Sequence, residues 1–243
     1  MRRRSLLKSY GKSKGYIIQQ PTAKTLTYDG TDQDLVNQGS ATGVIMYSLD
    51  NVNFSNTIPQ GKNASNYTVY YYAAESANYT QSDTYTIQCT IDKAAGYVST
   101  APTAKSLTYS GSAQALVNAG SGTGTMQYSL DNSSWNVSIP TGTNAGSYTV
   151  YYKVAASENY TESSTDSVGI TISKATGSVT AAPTNKGVTY SGSAQTLANA
   201  GSGTGTMYYR LGTSGSFSTS IPTQTNAGSW TLYYYAAEST NYT

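Results

Sequence analysis

The sequence predicts an all-β protein made of three tandem β-sandwich domains, on the basis of three observations. First, Pro21, Pro102 and Pro183 lie about 81 residues apart, and a fixed period indicates repeated structural units. Second, apolar and polar residues alternate within each repeat, as they do in half-buried strands. Third, only 11% of the residues are charged whereas 24 are tyrosines, a composition unlike that of a disordered chain. A unit of roughly 80 residues is too long for a solenoid repeat and suits a self-contained sandwich.

Each repeat is built around one strand that follows an Asn-Ala turn. In the second repeat the alternate residues Tyr148, Val150 and Tyr152 are large and apolar, and the same segment recurs at 63–71 and 226–234. Successive side chains of a strand point to opposite faces. The pattern therefore predicts that these three residues face a core.

The other strands follow from short runs of apolar, β-branched and aromatic residues bounded by turn residues. In the first repeat the predicted strands are 25–28, 35–36, 44–49, 67–73 and 85–91. In the second repeat they are 107–109, 116–117, 126–130, 148–154 and 168–172. Asp29-Gly30 and Asp50-Asn51 are predicted turns. The predicted domains are 20–94, 95–175 and 176–243, joined by linkers short enough to limit free swing.

The third domain is expected to lack its last strand. Asn241-Tyr242-Thr243 matches Asn159-Tyr160-Thr161, but the second domain continues from that point to a final strand that ends near Ile172. A sandwich without this strand exposes a sheet edge. Three explanations stay open: the chain is part of a longer protein with further repeats, another subunit or protein donates the strand, or the truncated sandwich is stable by itself.

Residues 1–19 are predicted to form a short extended arm that anchors the protein. Residues 1–20 contain no acid and six cations, namely Arg2, Arg3, Arg4, Lys8, Lys12 and Lys14. Such an asymmetry is typical of a segment with its own partner, here an acidic or grooved surface on which the arm becomes ordered. A disordered arm and direct binding to nucleic-acid phosphates are the alternatives. The apolar runs in this segment are too short for a secretory signal or a membrane span, so neither is expected.

The sequence contains few residues suited to catalysis or metal binding. Cys89 is the only cysteine and there is no histidine, which excludes an intrachain disulfide, histidine-based triads and most metal sites. The candidate acids are in predicted turns and differ between repeats; they are Asp50, Glu75, Asp131, Glu158 and Glu238. Because acid–base catalysis needs a positioned pair in a pocket, we predict a non-enzymatic protein without cofactor or metal.

Tyrosines on the outer face of the sheet are the better candidates for ligand contact. If Tyr148 and Tyr152 face inward, alternation places the following tyrosines outward: Tyr70, Tyr72, Tyr151, Tyr233 and Tyr235. Repeated outward tyrosines can stack on sugar rings or contact a neighbouring protein. The alternative is that they form cross-strand pairs that stabilise the sheet.

Several motifs resemble bacterial immunoglobulin-like repeats of the MBG type over about residues 20–243. They are Ala101-Pro102-Thr103-Ala104-Lys105, Leu107-Thr108-Tyr109-Ser110-Gly111, Tyr128-Ser129-Leu130-Asp131, Ile139-Pro140-Thr141-Gly142 and Asn144-Ala145-Gly146. The resemblance implies immunoglobulin-like sandwiches in which a tyrosine hydroxyl ties the central strand to the preceding corner. Val69, Val150 and Leu232 stand where related domains carry a cysteine, which implies disulfide-free relatives.

Such repeats are similar to spacers in phage virion proteins and in bacterial adhesins. Since no export signal is expected, the leading hypothesis is a multicopy or homo-oligomeric virion protein, such as a head decoration or fibre. Its arm would dock to a capsid or other virion protein, and its sandwiches would contact host-surface or mucus glycans by multivalent binding. The alternatives are a bacterial cell-surface adhesin fragment without its export signal, and a spacer attached to a catalytic domain.

Overall fold

The computed structural model describes residues 10–243, in which all regular secondary structure is β-strand. This confirms the predicted fold class, an all-β protein of tandem sandwiches. The chain packs into two compact units. One contains the residues up to 99 together with 121–126 and 153–164, and the other contains 100–120, 127–152 and 165–243. The division between them falls within the second repeat, so each joint between successive repeats lies inside one unit.

The first repeat contains twelve strands. They are β1 (Ser13–Lys14), β2 (Ile17–Gln19), β3 (Thr22–Ala23), β4 (Thr25–Thr27), β5 (Gln33–Asp34), β6 (Val36–Asn37), β7 (Ser40–Ala41), β8 (Ile45–Ser48), β9 (Gln60–Gly61), β10 (Ser65–Ala73), β11 (Tyr79–Thr80) and β12 (Tyr85–Asp92). Its main sheet has the order β4-β12-β10-β8. β12 lies antiparallel to β10 and parallel to β4, while the remaining strands form small two-stranded sheets.

The second and third repeats follow the same plan. Second-repeat strands are β13 (Val98–Thr100), β14 (Thr103–Ala104), β15 (Leu107–Thr108), β16 (Gln114–Ala115), β17 (Val117–Asn118), β18 (Ser121–Gly122), β19 (Met126–Ser129), β20 (Thr141–Gly142), β21 (Gly146–Val154) and β22 (Asp166–Ser173). Third-repeat strands are β23 (Val179–Ala181), β24 (Thr184–Asn185), β25 (Gln195–Thr196), β26 (Ala198–Asn199), β27 (Ser202–Gly203), β28 (Met207–Leu211), β29 (Thr223–Gln224) and β30 (Leu232–Ala236).

The core of the first repeat lies against the inward side of its main sheet. Its buried cluster consists of Leu35, Val36, Ile45, Tyr47, Val69, Tyr71, Cys89 and Ile91. The second repeat buries most of the corresponding side chains, including Val150 and Tyr152, while Met126 and Tyr148 are half-buried. The predicted inward face of the central strand is therefore confirmed.

A tyrosine hydroxyl ties the central strand to the turn before it. Tyr67 Oη donates a hydrogen bond to the carbonyl of Asn63 at 2.8 Å, and Tyr148 does the same to Asn144 at 2.8 Å. The aromatic rings also pack against the small residues Gly61 and Gly142, where a Cβ would lie 2.7 and 2.8 Å from ring carbon. In the third repeat Trp230 occupies the tyrosine position, so this tie is lost.

The main sheet of the third repeat has only two strands, β28 and β30. No strand of residues 10–243 fills the position that β12 and β22 occupy in the other repeats. The exposed fraction of Tyr234 is consequently 40%, whereas the corresponding Tyr71 and Tyr152 are 2% and 5% exposed. The predicted absence of the last strand therefore leaves the inner side of β30 open.

Residues 13–19, which lie within the predicted arm, pair with strands of the first repeat. Ser13 and Lys14 form β1, which pairs in parallel with Tyr79 and Thr80 of β11. β2 pairs with β7. Residues 13–19 thus belong to the first repeat, because their backbone groups form ladders with it.

Candidate functional site

The two joints between successive repeats share one set of contacts. At the first joint, Asn159 Oδ1 accepts a hydrogen bond from the backbone N–H of Ala64 at 2.8 Å. Tyr160 packs edge-to-face on Tyr28, with ring centroids 5.3 Å apart. The linker residue Ala94 donates to the Asn159 carbonyl at 3.0 Å and accepts from Thr161 N–H at 2.8 Å.

The second joint reproduces these contacts with the corresponding residues. Asn241 Oδ1 accepts from Ala145 N–H at 2.8 Å, and Tyr242 packs on Tyr109 at 5.3 Å. Ala175 takes the place of Ala94, with hydrogen bonds of 2.9 Å to Asn241 and Thr243. The contact that this motif makes between repeats was not predicted from the sequence, although Asn-Tyr-Thr recurs at 78–80, 159–161 and 241–243.

The two described cations of the predicted anchoring set lie against the first repeat. Lys12 forms an ion pair with Glu75, and Lys14 pairs with Asp83 at 2.6 Å. The other members, Arg2, Arg3, Arg4 and Lys8, lie outside the described residues. Lys12 and Lys14 thus also join β1 to the sandwich that follows.

The predicted outward tyrosines lie on the outer face of the main sheets but differ in exposure. Tyr70, Tyr72 and Tyr151 are half-buried, whereas Tyr233 and Tyr235 are exposed. Tyr72 packs edge-to-face on Phe54, with centroids 4.8 Å apart. In the first repeat these tyrosines therefore contribute to packing of the sheet surface, and the most accessible ones belong to the third repeat.

An aromatic face in the third repeat is formed by Tyr208, Arg210, Phe217, Tyr233 and Tyr235. Tyr208 and Tyr235 stack across the β28–β30 pair with centroids 5.4 Å apart, and Phe217 meets Tyr235 edge-to-face at 4.9 Å. The guanidinium carbon of Arg210 lies 4.5 Å from the Phe217 centroid and 5.6 Å from that of Tyr233. Arg210 Nε is buried without a hydrogen-bond partner among the described residues. The sequence did not single out Tyr208, Arg210 or Phe217, because their proximity depends on strand register.

A groove of about 430 Å³ opens on the inner side of the same strand pair. Its apolar lining includes Val188, Leu197, Leu211, Trp230, Leu232 and Tyr234. Of these residues, Leu197, Leu232 and Tyr234 correspond to buried core residues of the other two repeats. The aromatic face and the open groove are thus the two accessible apolar surfaces of β28 and β30.

Among the candidate acids, Asp50 and Asp131 stabilise turns, and Glu75 and Glu238 form ion pairs. Asp50 accepts hydrogen bonds from Ser48 Oγ and from the N–H groups of Val52 and Asn53, and these bonds hold its pKa well below the usual range. Asp131 has the same arrangement and the same direction of pKa shift, with backbone N–H groups as the largest cause. Glu238 pairs with Lys174. The described residues hold no cluster of three or more potential metal-ligating His, Cys, Asp or Glu side chains.

No protein family, curated protein or solved structure matches the chain. Within residues 10–243 there is no helix of the length and apolar character that spanning a membrane requires.

Proposed function

We propose that this chain is a non-enzymatic structural protein of a phage virion, such as a head decoration or fibre protein. Its N-terminal cations dock to the particle, and its tandem immunoglobulin-like sandwiches present surfaces to host or mucus glycans. The observation that supports a structural role is the joint, in which the same backbone and side-chain hydrogen bonds and the same tyrosine pair occur twice. Repeated joints of this kind hold each sandwich against the next. They suit a structural protein that presents several domains on a particle.

The aromatic face supports the glycan part of the proposal. Exposed Tyr233 and Tyr235 offer ring surfaces, and the neighbouring Arg210 adds hydrogen-bond donors. Sugars bind aromatic rings through their apolar face, and a single shallow site binds weakly. Several copies on one particle would compensate through multivalency.

Density-gradient sedimentation of the native source material tests the docking proposal. The full chain is expected to co-migrate with virus particles, and replacing Arg2, Arg3 and Arg4 with Ser should release it. A matched variant with Lys62, Lys105 and Lys186 replaced by Ser removes three cations outside the arm and should remain bound. Migration with envelope membranes would instead favour the bacterial cell-surface protein.

Binding to a mucin-coated surface tests the glycan proposal. The double variant Tyr233→Ala and Tyr235→Ala should lose most of the binding of particles that carry it. Tyr97→Ala removes an exposed tyrosine of the second repeat and should bind normally. Unchanged binding of the double variant would refute the role of the aromatic face.

A further inference from the structure

Arg210 is a cation without a carboxylate partner in its own repeat. Residues 176–243 contain a single acid, Glu238, and that carboxylate pairs with Lys174. The second repeat also has a cation on the corresponding face of its main sheet, but this Lys153 pairs with Glu162 at 3.0 Å. The positive charge of Arg210 is therefore not balanced by any ion pair of the described residues.

The guanidinium group of Arg210 is held in place, yet most of its donors are free. Its carbon lies 4.5 Å from the Phe217 ring centroid and 5.6 Å from that of Tyr233. Of its five N–H donors, one on Nη1 meets the carbonyl of Gly215 at 3.4 Å. Nη2 has no acceptor within residues 10–243, and unlike Nε it is not buried. The two terminal nitrogens can therefore donate to a ligand.

Aromatic rings share one face of the strand pair with this guanidinium. Arg210 is opposite Tyr233 on the neighbouring strand, and Tyr208 is opposite Tyr235. The rings of Tyr208 and Tyr235 stack with centroids 5.4 Å apart. Side chains two residues apart on a strand lie on the same face and are separated by about 7 Å, a distance comparable to one sugar unit. A sugar that contacts these rings can thus place a substituent against Arg210.

The charge at this position is reversed relative to the other two repeats. Ser48 and Ser129 occupy the position of Arg210, and their hydroxyls donate to Asp50 and Asp131. The third repeat has a glycine in place of these aspartates. A carboxylate repels an anion, whereas a guanidinium attracts it. The third repeat therefore favours a negatively charged ligand where the first and second repeats do not.

We propose, on the basis of the glycan contact proposed above, that the saccharide bound at the aromatic face is acidic and that Arg210 binds its carboxylate or sulfate group. Nη1 and Nη2 donate two parallel hydrogen bonds to the oxygens of either anion, and the rings beside them contact the apolar face of the sugar. A neutral sugar offers only hydroxyl groups, which form weaker hydrogen bonds with a guanidinium.

Surface plasmon resonance of the full chain on immobilised polymers tests this proposal. The probes are polygalacturonate, which carries carboxylates, dextran sulfate, which carries sulfates, and neutral dextran. Polyglutamate carries carboxylates without sugar rings and measures attraction by charge alone. We expect one or both acidic polysaccharides to bind about tenfold more tightly than dextran and polyglutamate, with an affinity that falls as salt screens the charges. The stronger of the two identifies the anionic group.

The variants are made in a chain in which the arm attracts polyanions less, because it carries Arg2→Ser, Arg3→Ser and Arg4→Ser. Arg210→Gln keeps a long polar side chain without the charge, and it should weaken binding to the acidic polysaccharide about tenfold or more. Arg210→Lys keeps the charge without the planar fork and should bind better than Arg210→Gln. Lys186→Gln is the matched control, since it removes a cation of the same repeat that bonds Thr196 at 3.2 Å, and it should bind normally.

Two outcomes would overturn the assignment of an acidic ligand while the glycan contact stands. One is binding to neutral dextran that is as tight as binding to the acidic polysaccharides. The other is an acidic polysaccharide that binds Arg210→Gln as tightly as it binds the chain with Arg210, or that Arg210→Gln and Lys186→Gln weaken equally. Absence of binding to all three polysaccharides and to mucin would instead refute the glycan contact itself, and the acidic ligand with it.

Discussion

Asn159→Ala tests whether the joints contribute to stability. The Asn159 side chain accepts a hydrogen bond from Ala64 N–H at 2.8 Å and donates to Asn63 Oδ1 at 3.3 Å. Both contacts cross from one repeat to the next, and Ala64 is half-buried. The substitution removes the side-chain amide and leaves that N–H without its acceptor, while the backbone bonds of Ala94 to residues 159 and 161 remain.

The expected loss of unfolding free energy in Asn159→Ala follows from one well-formed and one long hydrogen bond. A typical intramolecular hydrogen bond contributes about 0.5–1.5 kcal/mol, and an unsatisfied buried donor costs about 1–3 kcal/mol. Because Ala64 is only half-buried, water replaces part of the loss. We therefore expect the free energy of unfolding of the first unit to fall by about 1–1.5 kcal/mol, which lowers its melting temperature by about 4–6 °C.

Differential scanning calorimetry of the full chain measures this effect, with two matched variants. Asn241→Ala removes the same contact at the second joint and should destabilise the unit that contains it by a similar amount. Asn78→Ala changes the corresponding exposed residue and should shift the melting temperature by less than about 1 °C. Equal shifts for Asn159→Ala and Asn78→Ala would show that the side-chain contact at the joint does not stabilise the protein, and this result would refute the prediction.

Three further outcomes are expected. Tyr67→Phe and Tyr148→Phe should each lower the free energy of unfolding by about 1 kcal/mol in chemical denaturation, because each loses its bond to the preceding turn; Tyr97→Phe, a tyrosine outside these ties, is the control. Gly142→Ala should cost about 1–3 kcal/mol, since its Cβ would lie 2.8 Å from the Tyr148 ring and 3.0 Å from Ile172, while Gly169→Ala, with nothing within 4 Å, should be neutral or slightly stabilising. Hydrogen bonds lower the pKa of Asp50 and Asp131 in the folded state. The stability that these two carboxylates contribute to the folded protein is therefore fully present above the unfolded pKa of about 4, and it is lost as the pH falls through the lower folded pKa. The melting temperature should therefore decline on acidification below about pH 4, and less steeply in the double variant Asp50→Asn and Asp131→Asn; an unchanged slope would contradict this assignment.

The long strands and some short ones, such as β4 and β15, could be predicted from the sequence, but other short strands could not. β10 and β21 span nine residues each, enough for a period of two to be visible and to predict the inward side chains. Strands such as β5 or β18 have two residues, over which no alternation can be seen. Their pairing depends on the arrangement of the larger sheet around them.

The joints and the limits of the arm depend on contacts between distant parts of the chain. Asn159 and Ala64 are separated by 95 residues, so local patterns say nothing about their contact. Charge counted along the sequence assigned Lys12 and Lys14 to a free basic segment. In space their charges are matched by Glu75 and Asp83, which places them in the first repeat.

The third repeat departs from the other two at positions that change together. Ser48 and Ser129 each hydrogen-bond an aspartate two residues on, whereas the third repeat has Arg210 and Gly212 at these positions. Without the aspartate, a serine there would lose its partner. Arg210 instead packs on Phe217 and Tyr233, and Tyr208 replaces Met46 and Gln127 beside it. A hydrogen-bonded turn has thus been exchanged for an exposed aromatic and cationic surface, and this exchange is the reason that we assign glycan contact to the third repeat.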